Sequence, residues 1–557
     1  SRGLGDVYKR QKSKRLTLSV LFVVAAVANA LACTNLIVGK NASADGSTIV
    51  SYSADSYGLF GELYHYPAGM HKKGTLIDIH EWDTGKYLGQ IEQARQTYNV
   101  IGNMNEFQLT IGETTFGGRP ELVDTTGIID YGSLIYLGLQ RSRTAREAIK
   151  VMTELVQEYG YYSSGESFTI ADPNEIWIME MIGKGPGVRG AVWVAVRVPD
   201  DCISAHANQS RIHQFNMNDK ENCMYSPDVI SFAREKGYFD GVNKDFSFAD
   251  AYAPLDFGAR RYCEARVWSY FNMFTDRGNE FLPYILGETD TPMPLFVKPN
   301  RKVSVQDVKN AMRDHYEGTP LDISKDFGAG PYHTPYRLSP LSFKVDDQEY
   351  FNERPISTQQ SGFVFVAQMR SELPDPIGGV LWFGTDDANM TVFTPVYCCT
   401  DKVPVCYTRV DGADYITFSW NSAFWIFNWV ANMVYPRYDL MMGDVRATQT
   451  ELETTFNEAQ EGVEAAAAKL LEKDPAKAKA FLTNYTNMTA QSTFDTWKRL
   501  GEFLVVKYND GVVKRMKNGQ FERNSIGQPA GVIRPGYPKE FLEEYVKQTG
   551  DRYKMPE

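Results

Sequence analysis

The chain has 557 residues, of which 43% are hydrophobic and 13% aromatic, and its formal net charge is −11. This length allows a large buried core, and the 45 Gly, 26 Pro and 32 Tyr favour a β-rich protein with many turns over a helical array. The acidic balance lacks the electrostatic footprint of a nucleic-acid-binding protein, so we expect no nucleic-acid partner.

The first 32 residues predict a secretory signal peptide. Basic residues between Lys9 and Arg15 precede residues 16–28, which are almost wholly apolar but too few to cross a bilayer as a helix. Ala30 and Ala32 have the small side chains that a leader peptidase requires. We therefore expect export to the periplasm or the extracellular space.

Cleavage after Ala32 would make Cys33 the first residue of the mature chain. We interpret residues 1–11 as a remnant of cloning or sequencing and leave them out of the fold. The remaining sequence contains no apolar run long enough for a membrane span, so we expect none in the mature protein.

An N-terminal cysteine can combine a nucleophile and a base in one residue. The thiol of Cys33 is the nucleophile, and its own α-amine, with an ordinary pKa of about 7.7–8.0, can accept the thiol proton near neutral pH. The alternative is lipid attachment, because Leu31-Ala32-Cys33 superficially resembles a lipobox. A lipoprotein usually has a large aliphatic residue at the position of Ala30, and acylation would remove the amine as a base.

The residues after Cys33 favour the enzyme over the lipoprotein. Residues 34–38 predict a short strand, residues 39–46 a turn, and residues 47–52 a second strand. The nucleophile would then lie at the edge of a β-hairpin, whereas a lipoprotein more often begins with a flexible polar tether.

At this point the chain resembles the bacterial cysteine dipeptidases related to secernins, a family of the N-terminal-nucleophile hydrolase superfamily. The resemblance covers about residues 33–420 and depends on several short segments in a fixed order. They are Cys33-Thr34, Asp45-Gly46-Ser47-Thr48, Gly102-Asn103-Met104-Asn105-Glu106, Gly112-Glu113-Thr114, Trp193 to Arg197 with Val198-Pro199-Asp200-Asp201, Ala207-Asn208-Gln209-Ser210-Arg211-Ile212 and Asp314-His315-Tyr316-Glu317-Gly318-Thr319.

The resemblance implies an α+β fold, a four-layer αββα sandwich in which two antiparallel sheets lie between helices. Local patterns are compatible with it: residues 168–171 and 176–182 predict a hairpin, and Thr144 to Glu147 is a capping box that begins an amphipathic helix ended by Gly160. We predict a hydrolase domain over residues 33–415 and a mainly helical C-terminal extension, packed on it, over residues 416–557.

The resemblance also implies partners for Cys33. Asp55 would orient the nucleophile, Asn208 would donate to the oxyanion, and Arg261 would be the late arginine of the active site, with Arg266 as a near alternative. Relatives usually have an arginine three residues before the aspartate, where this chain has Tyr52. In this chain the function of that arginine is therefore either absent or performed by another residue.

Two further residues are predicted to contact the substrate. Thr115 corresponds to a position that contributes oxyanion or pocket contacts. A dipeptidase must recognise a free α-ammonium, which the carboxylate of Glu113 could do. We expect small peptides as substrates, no cofactor and no catalytic metal, since the seven histidines show no metal-binding spacing.

We therefore interpret the chain as an exported cysteine dipeptidase that forms an aminoacyl-thioester on Cys33. One alternative is an N-acyl amide hydrolase similar to bile-salt hydrolases or penicillin acylases, and another is a non-catalytic, nutrient-binding lipoprotein. The sequence does not determine whether the protein forms a homo-oligomer. The other six cysteines could form disulfides or remain free thiols, and Cys399 and Cys406 flank a loop suited to a disulfide.

Overall fold

The computed structural model describes residues 33–557, so the predicted signal peptide lies outside the described residues. The strands, in chain order, are β1 Asn35–Val38, β2 Thr48–Asp55, β3 His65–Tyr66, β4 Gly69–Met70, β5 Leu76–His80, β6 Tyr87–Glu92, β7 Gln96–Thr97, β8 Val100–Ile101, β9 Met104–Asn105, β10 Thr110–Gly117, β11 Gly165–Ala171, β12 Ile176–Gly183, β13 Ala191–Arg197, β14 Ile203–His206, β15 Cys223–Tyr225, β16 Ser342–Val345, β17 Gln348–Phe351, β18 Ser361–Met369, β19 Val380–Thr385, β20 Thr394–Tyr397, β21 Val513–Lys514, β22 Met516–Lys517, β23 Gln520–Phe521 and β24 Val532–Ile533.

The α-helices are α1 Tyr131–Arg141, α2 Ala145–Tyr159, α3 Val229–Glu235, α4 Phe248–Tyr252, α5 Ala265–Phe274, α6 Gly278–Leu286, α7 Val305–Ala311, α8 Asp375–Gly378, α9 Ala423–Val434, α10 Tyr438–Leu471, α11 Pro475–Tyr508 and α12 Lys539–Thr549. A π-helical turn, Ala259–Glu264, leads directly into α5.

Two large antiparallel sheets form the centre of the described chain. The first has the strand order β14-β1-β2-β18-β19-β20, and the second has the order β15-β13-β12-β11-β10-β9-β8-β3. Strands β1 and β2 contact β10, and β2 also contacts β11, so the two sheets meet there. The chain is thus a mixed α and β protein with a helical C-terminal region, as the predicted α+β class requires.

Alternation along β12 divides the core into two hydrophobic clusters. Ile176, Ile178 and Ile182 belong to the cluster shared with the six-stranded sheet. Trp177 and Met179 belong to a second cluster, which also contains the buried residues of α1 and α2. Successive side chains of a strand point to opposite faces, so the eight-stranded sheet is buried on both faces.

The local predictions around this sheet are confirmed. Strands β11 and β12 pair as the expected hairpin, and α2 ends at Gly160, which has φ 81°. The Thr144 hydroxyl accepts from the Glu147 amide, as in a capping box. The Glu147 carboxylate, however, accepts from the Arg143 amide rather than from Thr144, so the reciprocal bond is displaced by one residue.

Helices α9 and α11 of the C-terminal region pack on the six-stranded sheet, where α9 contacts β19 and α11 contacts β20. The boundary at residue 415 stays a prediction. Helix α12 lies in the last part of the predicted C-terminal extension, and none of its residues is buried.

All seven cysteines lie in the described region and are free thiols, so Cys399 and Cys406 do not form the disulfide considered above. Among residues 33–557, no helix combines the length and apolar character needed to cross a membrane.

Candidate active site

Cys33 lies two residues before β1 and is 2% exposed. The neighbouring Thr34 bridges Ser53 of β2, and Asn35 pairs with His206 of β14, so β1 is held between two strands. Strand β2 extends to Asp55, three residues beyond the prediction, and Asp55 is therefore the last residue of the strand rather than a residue after it.

Arg266, on α5, holds the main chain of Cys33. One guanidinium nitrogen, Nη1, donates to the Cys33 carbonyl at 2.6 Å and to the Thr34 hydroxyl at 2.8 Å. The other, Nη2, donates to the Ala207 carbonyl and to Asn208 Oδ1, both at 2.9 Å. Burial and the nearby Arg354 guanidinium lower the pKa of Arg266 to about 10, so it stays cationic at neutral pH.

The structure places Arg266, the near alternative to Arg261, beside Cys33. Arg261 forms an ion pair with Glu353, and its guanidinium lies 5.0 Å from the ring centroid of Phe351. Arg261 lies within the π-helical turn Ala259–Glu264, whereas Arg266 lies after that turn, in α5. Such turns are frequent at functional sites, and spacing alone does not reveal them.

Asn208 lies on the loop after β14 and is connected to Cys33 through Arg266, which donates to Asn208 Oδ1 and to the Cys33 carbonyl. Its Nδ2 donates to the Thr115 carbonyl at 2.8 Å, which fixes the orientation of the amide. Asn208 has φ 64°, a left-handed conformation that asparagine tolerates better than most residues. Both ends of the amide are therefore bonded, Oδ1 to Arg266 and Nδ2 to the Thr115 carbonyl.

A buried carboxylate, Glu180, holds the loop that carries Asn208. It accepts from the backbone amides of Arg211 at 2.6 Å and Ile212 at 3.2 Å. The Arg211 side chain in turn pairs with buried Glu264 at 2.9 Å. Burial raises the pKa of Glu180 to about 7, while its bonds to the two amides favour the charged form.

Asp55 is fully buried and lies near the Cys33 thiol. Its carboxylate accepts from the Ser361 hydroxyl at 2.6 Å and forms an ion pair with Arg354. The Arg354 carbonyl accepts from the Tyr316 hydroxyl at 2.7 Å. Tyr316 belongs to the Asp314–Thr319 segment that contributes to the family resemblance, so this segment supports the site through Arg354.

The thiol of Cys33 has an anionic environment. Its Sγ lies 3.7 Å from the Tyr52 hydroxyl, which donates to Glu113 Oε1 at 2.6 Å. Burial raises the pKa of the Cys33 thiol, and the charges of Glu113 and Asp55 raise it further. The thiol is therefore neutral at pH 7, and a reaction through it requires a base at the moment of attack.

Glu113 lies beside a second buried carboxyl group that the sequence analysis missed, Glu166 on β11. Thr115, one of the predicted substrate contacts, donates from its hydroxyl to Glu166 Oε1 at 2.7 Å. Burial raises the pKa of Glu113 to about 7, although its hydrogen bond from Tyr52 opposes this shift. Burial, followed by the charge of Glu113, raises the pKa of Glu166 well above its usual range.

Close contacts between the sheets fix the position of these groups. The Asn35 Nδ2 donates to the Glu113 carbonyl at 2.7 Å. A Cβ on Gly112 would lie 2.4 Å from Asn35 Oδ1, so only glycine allows β10 to approach β1 this closely. On the same face of β10, the hydroxyl of Thr114 lies 2.7 Å from His206 Nδ1.

His206 connects the two sheets as a neutral imidazole. Its other nitrogen, Nε2, lies 2.6 Å from the Thr169 hydroxyl, and burial, followed by the charges of Arg211 and Arg266, lowers its pKa to about 3. An unfolded histidine titrates near 6.5, so between these values the unfolded chain binds one proton more than the folded chain. His206 therefore contributes stability that is complete above the unfolded pKa and is lost as pH falls.

We expect His206→Asn to remove this acid sensitivity. The free energy of unfolding of the wild type should fall by about 1.4 kcal/mol between about pH 6 and pH 5 through His206 alone. The variant should be less stable than the wild type at pH 7, and the difference between their free energies of unfolding should become smaller by that amount between pH 6 and pH 5. Urea unfolding at pH 7, 6 and 5 measures this difference, and a difference that does not change with pH contradicts this role of His206.

A cavity lies beside the residues that follow Asn208. It has a volume of 420 Å³, and its lining includes Gln209, Arg211, Arg260 and Glu264. Cys33 does not line it, so we do not assign it to the reaction. Within residues 33–557, no group of three or more His, Cys, Asp or Glu side chains is arranged to hold a metal ion.

The family model for peptidase family C69 matches residues 32–65 and 60–451. The chain belongs to peptidase family C69. The match begins beside Cys33 and ends within α10, so it includes each predicted site residue. The proposed membership of the cysteine dipeptidase family is thereby confirmed.

Relatives of this C69 chain have names that agree with the family. A probable dipeptidase from Salmonella dublin is 31% identical over 389 residues, which cover 66% of this chain and 81% of the relative. Dipeptidase A from Lactobacillus helveticus is 25% identical over 416 residues, 71% of this chain and 80% of the relative. A dipeptidase from Bifidobacterium longum is 25% identical over 417 residues, 67% of this chain and 72% of the relative.

Proposed function

We propose that the chain is an exported cysteine dipeptidase whose mature form begins at Cys33. The observation that carries the proposal is the fixed position of this cysteine: Arg266 holds its carbonyl, and the amide of Asn208 is bonded to the same guanidinium. The family membership and the names of the relatives support a cysteine-type dipeptidase. A leader of the predicted kind supports export.

The proposed fold is the four-layer sandwich of the N-terminal-nucleophile hydrolases. Two features support it: the sheets contact each other through β1, β2 and β10, and α1 and α2 cover the other face of the eight-stranded sheet. The N-terminal strand of such a fold carries the nucleophile, which is where Cys33 lies.

The proposed reaction begins when the α-amine of Cys33 accepts the thiol proton and Sγ attacks the carbonyl carbon of the peptide bond. The negative charge that develops on the carbonyl oxygen is stabilised by the Asn208 amide. The tetrahedral intermediate then expels the amine of the second amino acid, which takes the proton back from the Cys33 ammonium. Water hydrolyses the resulting aminoacyl-thioester by the same proton route and releases the first amino acid.

The structure favours this proposal over a lipoprotein. Cys33 is buried and directly adjoins β1, so no flexible tether separates it from the sheet. A lipid chain on this residue would have to leave the fold at a point where the backbone is held by Arg266. The anionic environment of the thiol also suits an amine substrate better than an apolar acyl group.

The test is a comparison of three substrate classes with the processed wild-type protein. We expect hydrolysis of dipeptides, with slower hydrolysis of N-acylated dipeptides and of conjugated bile salts. The intact mass of the exported protein should correspond to a chain that begins at Cys33 with a free amine. A lipid adduct on Cys33, or a preference for N-acyl substrates, would overturn the proposal in favour of one of the two alternatives.

A further inference from the structure

Glu113 and Glu166 form a pair of buried carboxyl groups, here called the acid pair. Both residues are fully buried. Other side chains donate to them through two hydroxyls, from Tyr52 and Thr115, and the two carboxyl groups hydrogen-bond each other, which requires a shared proton. Within the described residues 33–557 neither carboxyl takes part in an ion pair. Buried carboxyl groups without a cation are costly, so this arrangement requires a proton or a cationic ligand.

The register of the sheet brings the two carboxyl groups together. Thr115 lies opposite Glu166, and Glu113 lies opposite Phe168, so the two glutamates are diagonal neighbours on one face of β10 and β11. The opposite face of β10 carries Gly112 and Thr114, which meet the six-stranded sheet. Tyr52 reaches from that sheet to Glu113 and so connects the acid pair to the thiol.

The groups that face the acid pair are neutral or acidic on every element around it. Strand β2 contributes Tyr52, α1 contributes Tyr131, and Tyr161 approaches from the segment between α2 and β11. The exposed turn between β5 and β6 contributes Asp83, which accepts from the Tyr131 hydroxyl at 2.9 Å. Carboxyl groups therefore extend from this exposed turn to the nucleophile.

The distance from the thiol matches the geometry of a dipeptide. In an amino acid the ammonium nitrogen lies about 2.5 Å from the carbonyl carbon, two covalent bonds away. The attacking sulfur lies about 3–3.5 Å from that carbon before reaction. The ammonium must then lie within about 6 Å of Sγ, and Glu113 is separated from Sγ by the single hydroxyl of Tyr52.

We propose that the acid pair binds the free α-ammonium of the substrate and that a proton held by the pair is released when the ammonium binds. This inference rests on the proposed dipeptidase function and assigns to Glu113 and Glu166 the recognition of the unblocked amine on the residue whose carbonyl is attacked. The step is balanced, because one ammonium enters and one proton leaves to solvent. A bound ammonium also offsets the negative field at Cys33, so a correct substrate favours ionisation of the thiol.

The same cation could be the α-ammonium of Cys33 itself, and a matched pair of substrates distinguishes the two sources. Alanyl-alanine and propionyl-alanine have nearly the same size and the same scissile bond, but only the first has an ammonium. We expect Glu166→Gln and Glu113→Gln to lower kcat/KM for alanyl-alanine by about 10–100-fold, with little effect on propionyl-alanine. Equal losses on both substrates would overturn the proposal and point to the ammonium of Cys33.

The matched control is Glu106→Gln, a partly buried carboxyl outside the acid pair that accepts from the Asn99 amide. This variant should leave the ratio of kcat/KM for the two substrates unchanged.

The stability of the acid-pair variants can also be predicted. Glutamine has the shape of a protonated glutamate, and the substitution removes a buried carboxyl whose pKa is raised in the folded protein. The two acid-pair variants should therefore unfold at the same temperature as the wild type below about pH 4 and at the same or a higher temperature at pH 8.

A binding measurement tests the inference independently of turnover. Calorimetric titration of Cys33→Ala protein with alanyl-alanine, in two buffers of different ionisation enthalpy, gives the number of protons released. We expect the release of close to one proton per bound dipeptide at pH 6 and of fewer at pH 8. The double variant Cys33→Ala, Glu113→Gln should release none. Binding with proton release in a protein that hydrolyses no dipeptide would reject the proposed function but keep the ammonium site, whereas binding without proton release would reject the site.

Discussion

Cys33→Ser and Cys33→Ala are expected to lower kcat/KM for dipeptides by at least about 10³, because every covalent step of the proposed reaction passes through this sulfur. A serine hydroxyl is a weaker nucleophile, and alanine has none. Initial rates at several substrate concentrations measure the effect. The thermal midpoint should change little, since the Cys33 carbonyl retains its bond from Arg266 in both variants.

Two controls separate the thiol from its neighbours and from the amine. Cys223→Ala replaces a buried thiol on the edge strand β15 and should leave the rate unchanged. A chain that retains Ala32 before Cys33 has the thiol but an amide in place of the amine, and it should be as inactive as Cys33→Ala. Full activity of that chain would contradict the amine as base, and residual activity of Cys33→Ala would contradict the nucleophile.

The sequence predicted the parts of the fold that are determined by residues close together in the chain. The hairpin of β11 and β12 follows from two apolar runs and a turn at Asp172–Asn174, and α2 follows from its cap and from apolar residues at helical spacing. Each of these signals lies within about fifteen residues of chain. The order of strands in the two sheets has no such local signal, and the expectation for it came from the family resemblance.

In the candidate site, too, only residues with a local sequence pattern could be predicted. Cys33 was found because its position after the leader is itself informative, and Asn208 because its motif is long. Glu166 was missed because it lies before the predicted strand, residues 168–171, and no local pattern indicates that it is buried; it comes beside Glu113 only through the pairing of β10 with β11. Arg266 was ranked below Arg261 because the π-helical turn before α5 cannot be inferred from spacing.

Asn208→Gly is expected to lower kcat by about 10²–10³ with little change in KM, because the amide donates to charge that develops only in the transition state. Glycine is the suitable replacement, since the residue has φ 64° and alanine would add backbone strain to the loss of the amide. Asn208→Ala should therefore show the same loss of kcat together with a lower thermal midpoint. Steady-state kinetics and thermal unfolding on the same samples measure both quantities.

Asn208→Asp distinguishes a hydrogen-bond donor to the oxyanion from a residue that only holds Arg266 in place. Aspartate keeps an oxygen that can accept from Arg266 Nη2, as Asn208 Oδ1 does, but it replaces the Nδ2 that donates to the Thr115 carbonyl. If the loss in the glycine variant came from a displaced Arg266, aspartate should restore most of the activity. If Asn208 is the oxyanion donor, aspartate should be at least as inactive as glycine, because a carboxylate repels the developing negative charge. Recovery of activity in the aspartate variant would therefore assign Asn208 to the support of Arg266 and leave the oxyanion to another donor.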